Sequence, residues 1–116
     1  MPFVTVKTNG FSNDVNVPEK LANAVADVLG KPVSYVCAEV KYNENLAFAG
    51  SKQNKGAWIE LASIGFRNKQ AVVDVLTDFA VENFGVERAL VCIALTDLPA
   101  SDVAHGGHLF GQRMLK

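Results

Sequence analysis

The hydrophobic positions of this chain switch between a period of two and a period of three to four, and the order of switching is written twice. From Phe3 to Thr8, β-branched and aromatic residues alternate with polar ones, the pattern of a half-buried strand. Asn9-Gly10 and Ser12-Asn13-Asp14 follow as turn residues, and Pro18 stands where a first helical residue is well tolerated. Leu21, Ala22, Val25, Val28 and Leu29 recur at helical spacing. Gly30 and then Pro32 end that helix. A second strand is predicted over 34–42, with Val36, Ala38 and Val40 opposite Cys37, Glu39 and Lys41. The same order returns in the second half. Residues 57–64 form a strand, and Asn68 caps a helix with Val72, Val75, Leu76, Phe79 and Ala80 on its apolar face. Gly85 ends that helix, and residues 89–96 form a fourth strand.

A tandem βαβ repeat of this kind predicts an α/β (α+β) fold, a four-stranded mixed sheet carrying two helices on one face. The other face then lacks a cover. Leu90 to Leu95 is apolar at every position, as in a strand buried on both sides. Association of several copies through their bare faces is the expected solution. A C-terminal segment folded over the sheet of a monomer is the alternative.

Composition narrows the picture without adding chemistry. The 116 residues, 49% hydrophobic and 20% charged, suit one domain over 1–116. A net charge of −1 provides no footprint for nucleic acid. The longest apolar stretch, 89–95, is too short to cross a bilayer. The start MPFVTVKTN lacks the charged and apolar regions of a secretory signal. Cys37 and Cys92 sit in apolar runs without CxxC or CxxH spacing, and are expected to be buried free thiols in a reducing cytoplasm.

Candidate chemistry is sparse. His105 and His108 lie in a Gly-rich stretch with no further ligand nearby and read as exposed loop histidines, so no metal is expected. Gly50-Ser51-Lys52 lacks P-loop spacing and reads as a turn. No GxSxG is present, and the carboxylates scatter without forming an acid–base pair. What remains is Pro2. Removal of Met1 would leave a secondary amine on a rigid ring just before a strand. An apolar site and a nearby lysine would lower its pKa and make it a proton-transfer base near neutral pH. Many chains begin Met-Pro without any such role.

Four segments stand in matching order and nearly matching spacing: MPFVTVKTN, Gly30-Lys31-Pro32 with Tyr35 beyond, Ala47-Phe48-Ala49-Gly50-Ser51, and Ser63-Ile64-Gly65. Together they resemble the macrophage migration inhibitory factor and D-dopachrome tautomerase family of the tautomerase superfamily, from Pro2 to about Phe110. The resemblance implies a homotrimer whose three sheets enclose a channel, and a keto–enol tautomerase that needs no cofactor. Its substrates would be small carboxylated keto or enol compounds of the phenylpyruvate or dopachrome type.

By that resemblance Pro2 is the general base and Lys31 binds the substrate carboxylate. As a bare cation near a helix end, Lys31 would otherwise serve only the macrodipole. Ser63 and Ile64 would line the pocket, with Tyr35, Val103 and Phe110 at its rim. Three positions depart from the family. Cys92 and Ala94 stand where a neighbouring subunit would supply a tyrosine and an asparagine, and His105 replaces a rim tryptophan. The CxxC of some members is absent at 56–59, the first helix is about one turn shorter, and Gln112 to Lys116 extend past the usual end. The resemblance also implies a second reading, a cytokine-like binding protein with a cell-surface receptor and little catalysis. A pocket that merely holds a metabolite is a weaker third. Cytoplasmic residence, with release that uses no signal peptide, is the expected location.

Overall fold

The computed structural model describes residues 1–111, so the extension expected over 112–116 lies outside the described residues. Strand β1 (Phe3–Thr8), helix α1 (Val17–Leu29), strands β2 (Cys37–Tyr42) and β3 (Ala57–Ser63), helix α2 (Lys69–Phe84) and strand β4 (Val91–Asp97) follow in that order. A short hairpin of β5 (Ala104–His105) and β6 (His108–Leu109) comes last.

The helix boundaries follow from local chemistry. Asn68 Oδ1 accepts the Ala71 N–H at 3.0 Å and so satisfies one of the orphan donors at the start of α2. Pro18 sits in the first turn of α1, where its missing N–H costs nothing. Gly30, at φ +64°, takes the left-handed conformation that closes α1. Its N–H bonds Asp27 O at 3.2 Å, and that of Lys31 bonds Ala26 O at 3.0 Å. This closure fixes where Lys31 leaves the helix.

The sheet runs β2-β1-β3-β4. Pairs β1–β2 and β3–β4 are parallel, while the central pair β1–β3 is antiparallel. Val4, Val6, Ile59 and Leu61 from the sheet, and Leu21, Val25, Val72 and Leu76 from the helices, form a core that water hardly reaches. Fully burying a side chain of this kind contributes roughly 1.5–3 kcal/mol. The expected mixed sheet with two helices on one face is therefore present.

Three details differ from expectation. The second strand begins at Cys37, because Val33–Tyr35 forms a 3-10 turn. β1 offers no ladder partner before Phe3, which pairs with Cys37, so the preceding N–H groups bond Pro32 O and Val33 O instead. The fourth strand likewise starts after a 3-10 turn at Arg88–Leu90. Cys37 and Cys92 are free but exposed, not buried. Both belong to the face away from the helices, beside Phe3 and Trp58 in the register.

That open face is also more polar than the run 90–95 suggested. Val91, Ile93 and Leu95 pack toward the core, so only alternate residues of β4 face outward. On the same side the register places Lys7 beside Lys41 and Trp58, and Thr5 between Glu39 and Glu60. The described C-terminal hairpin does not lie across this face. His105 instead packs against Tyr35, with ring centroids 4.9 Å apart.

Candidate functional site

The antiparallel centre of the sheet gathers distant parts of the chain at one end. Pairing of Phe3 with Ala62 puts Pro2 near the end of β3, and parallel pairing of Ser63 with Asp97 brings in the end of β4. The 3-10 turn holding Tyr35 precedes β2 at the same end, since Cys37 N bonds Pro2 O at 3.0 Å. Lys31, released by the α1 cap, reaches across to β3.

A cavity of about 340 Å³ opens there, lined by Met1, Lys31, Pro32, Tyr35, Ile64 and Phe110. Its walls are mainly apolar side chains around one cation. Lys31 Nζ donates to Ser63 Oγ at 2.8 Å and to the Ile64 carbonyl at 2.5 Å. An ammonium has three donors, so one remains for a ligand. Ser63 is fully buried and anchors the ammonium from beneath. Burial lowers the Lys31 pKa from its usual value, and the Asp97 carboxylate pulls in the opposite direction. Asp97 Oδ1 in turn accepts the Gly65 N–H at 2.9 Å.

Pro2 is fully buried, next to Met1 at the cavity wall. The Met1 amine is shifted below its usual 8.0, first by burial and then by the charge of Lys31.

Of the sequence candidates, Lys31, Tyr35, Ile64 and Phe110 line this one cavity, with Ser63 bonded to Lys31. Val103 O accepts the Phe110 N–H at 2.9 Å, which ties the hairpin to the rim. His105 does not sit in an exposed loop. It is half-buried in β5, in a group of rings with Tyr35 and Phe110, while His108 is exposed on β6. Cys92 and Ala94 lie on the open sheet face of the same chain and do not line the cavity. No group of three or more His, Cys, Asp or Glu able to hold a metal occurs among the described residues.

Sequence reasoning missed Pro32 and Asp97. Asp97 ends the parallel-paired strand β4, where ligand crevices collect in sheets of this kind, and that position was the available signal.

Comparisons with known proteins agree with this architecture. The family model for macrophage migration inhibitory factor matches residues 1–111. A macrophage migration inhibitory factor homolog of Brugia malayi is 27% identical over 115 residues, covering 96% of this chain and 100% of that protein. The structure of macrophage migration inhibitory factor from Trichinella spiralis superposes with a TM-score of 0.80 at 26% identity, covering 92% of this chain and 98% of the other. A fused 4-OT protein solved as a symmetric trimer shares the fold, with a TM-score of 0.78 at 20% identity over 92% and 94% of the two chains. The chain belongs to the macrophage migration inhibitory factor family.

Proposed function

We propose that this chain is a cofactor-independent keto–enol tautomerase whose general base is the amine of Pro2, freed when Met1 is removed. The observation that carries the reading is the pocket itself. A buried prolyl residue stands at one end of the sheet, beside a cavity walled by apolar side chains and one lysine. Met1 then occupies the space that a substrate takes in the processed protein. A keto acid enters with its carboxylate on the remaining Lys31 donor and its apolar end toward Tyr35 and Phe110. Pro2 N takes a proton from the carbon next to the carbonyl, the C–H electron pair becomes the C=C bond, and the carbonyl oxygen takes a proton from water. Ketonisation is the reverse. The reading requires burial and Lys31 to lower the pKa of this amine, as they do for that of Met1, so that it can act as a base.

The assembly in this reading is a homotrimer, as in the symmetric trimer that shares the fold. The open sheet faces then approach one another, and a neighbouring copy presents Cys92 and Ala94 toward the pocket. These are small side chains, so the substrate is held mostly by one chain. The reading places the protein in the cytoplasm, where two exposed free thiols remain reduced.

The test is direct. Protein shown by intact mass to lack Met1 should ketonise enolised phenylpyruvate, and Pro2→Gly should lose most of that rate. Equal rates for the two proteins would remove the assigned mechanism. A second reading is a cytokine-like binding protein, favoured by the loss of polar groups at Cys92 and Ala94. It requires receptor binding that Pro2→Gly leaves intact, alongside negligible turnover by the unaltered chain.

A further inference from the structure

Lys31 and Ile64 are shared by a second cavity. On the far side of the lysine lies a space of about 300 Å³ lined by Leu29, Gly30, Lys31, Ile64, Gly65, Phe66 and Arg67. Lys31 and Ile64 stand between it and the first cavity and line both. From this arrangement we infer that Arg67 is a specificity-determining residue, and that the site takes short dicarboxylates, one carboxylate on Lys31 and the second on the Arg67 guanidinium.

Arg67 is exposed and forms no ion pair or hydrogen bond within the described residues. Its Nη1 lies 3.5 Å from where a side chain at Gly30 would begin. The guanidinium therefore rests over the bare backbone at the end of α1. The partial negative charge of a helix C-terminus favours a cation there. Because Gly30 has no side chain, the space beside the guanidinium stays open.

The charge balance decides what this space can recognise. Lys31 and Arg67 contribute two positive charges. Against them stand Asp97, which acts electrostatically on Lys31, and about half a charge from the helix end. The surplus is positive but small, so field strength alone does not select a dianion. Donor geometry does. Lys31 has one donor to give after Ser63 and Ile64, whereas the planar guanidinium offers paired donors that match a carboxylate. A monocarboxylate is satisfied by Lys31 alone. The second carboxylate of a short diacid uses Arg67.

The chemistry of turnover rests on the tautomerase reading, but the binding claim does not. The first experiment is therefore equilibrium binding, by NMR titration, of two unreactive acids that differ by one carboxylate, maleate and isocrotonate. The expected result is about tenfold tighter binding of maleate by the unaltered protein. Arg67→Gln should abolish that preference and leave isocrotonate unchanged, and Arg67→Lys should restore part of it. Equal affinity for the two acids, or an equal loss for both in Arg67→Gln, would overturn the inference. The second experiment compares enolised oxaloacetate with enolised phenylpyruvate as substrates. Arg67→Gln should raise KM about tenfold for the diacid only, with kcat unchanged. Raised KM for both substrates would overturn the assignment as well. Loss of all turnover with the maleate preference intact would instead remove the tautomerase reading and leave the dicarboxylate site standing.

Discussion

Replacing Lys31 by Met removes the one charge in the cavity while keeping a side chain of similar length. Two of the three ammonium donors are spent on Ser63 Oγ and the Ile64 carbonyl, so a substrate carboxylate has a single charge-assisted bond to lose. Such bonds contribute about 1.5–3 kcal/mol, and each 1.4 kcal/mol is a factor of about ten. The half-open position of Lys31 places the loss toward the lower end. The expected outcome is a fall in kcat/KM for enolised phenylpyruvate of about 10- to 30-fold. Most of it should appear in KM, because a carboxylate remote from the reacting carbon is held equally in ground and transition states.

The pH profile separates this role from a merely structural one. Without Lys31 a Pro2 amine would lose the like charge that acts on the Met1 amine, so the acid limb of the rate profile should move to higher pH. Burial remains, so the amine should stay below its ordinary value. A kcat/KM within twofold of the unaltered protein at every pH would refute both the carboxylate contact and the electrostatic one. Stability gives an independent reading. The variant leaves buried Ser63 Oγ and the Ile64 carbonyl without their donor, at a cost of about 1–3 kcal/mol that a urea midpoint would report. Ser63→Ala keeps the charge and should change KM only a few-fold.

Other expectations follow from single residues. In protein that retains Met1, the folded-state amine pKa lies below 8.0. The folded state therefore releases that proton first, and stability should rise with pH from the lowered value up to 8.0; urea melts across that window, with and without Lys31→Met, check the sign. Asn9 is buried and bonds Leu46 O at 3.0 Å, Asn54 O at 2.8 Å and Gly56 N at 3.0 Å. Asn9→Ala should accordingly cost about 2–4 kcal/mol in chemical denaturation. A methyl group at Gly56 would meet Leu90 O at 2.6 Å and the Phe48 ring at 2.7 Å, so Gly56→Ala should lower the melting temperature by several degrees.

What was legible in the sequence was whatever local chemistry decides. Asn68, Gly30 and Gly85 mark helix ends because each satisfies backbone groups within a few residues of itself. The 3-10 turn at 33–35 was missed because Val33, Tyr35 and Val36 are good strand residues. Whether they join a ladder depends on where the partner strand starts, thirty residues away. The grouping of Lys31, Ser63 and Ile64 came from resemblance to a family. Periodicity could not bring them together, because their meeting depends on the β1–β3 register. Arg67 was passed over for a related reason. An exposed arginine after a strand looks like any solvated cation until the bare backbone of Gly30 is found beneath it.

The two cysteines show how much depends on parity. In β4, Val91, Ile93 and Leu95 alternate with Cys92, Ala94 and Thr96. An apolar-run reading assigns all but the last to a dry interior. Thr96 shares parity with Cys92 and was the available sign that this side faces away from the helices. The consequence reaches the proposed assembly. Lys7 and Lys41 are side by side on the same face, with Glu39 and Glu60 two positions along their strands. Dry burial of paired lysines costs more than their apolar neighbours return. Copies joined through these faces would therefore keep the Lys7–Lys41 strip in contact with water, and draw their dry contacts from the end of the sheet holding Phe3, Cys37 and Ala62. If the copies join as proposed, Phe3→Glu should disperse the assembly to monomers on a sizing column, while Lys7→Gln should leave it intact. The opposite pattern would mean that the charged strip, and not the apolar end, joins the copies.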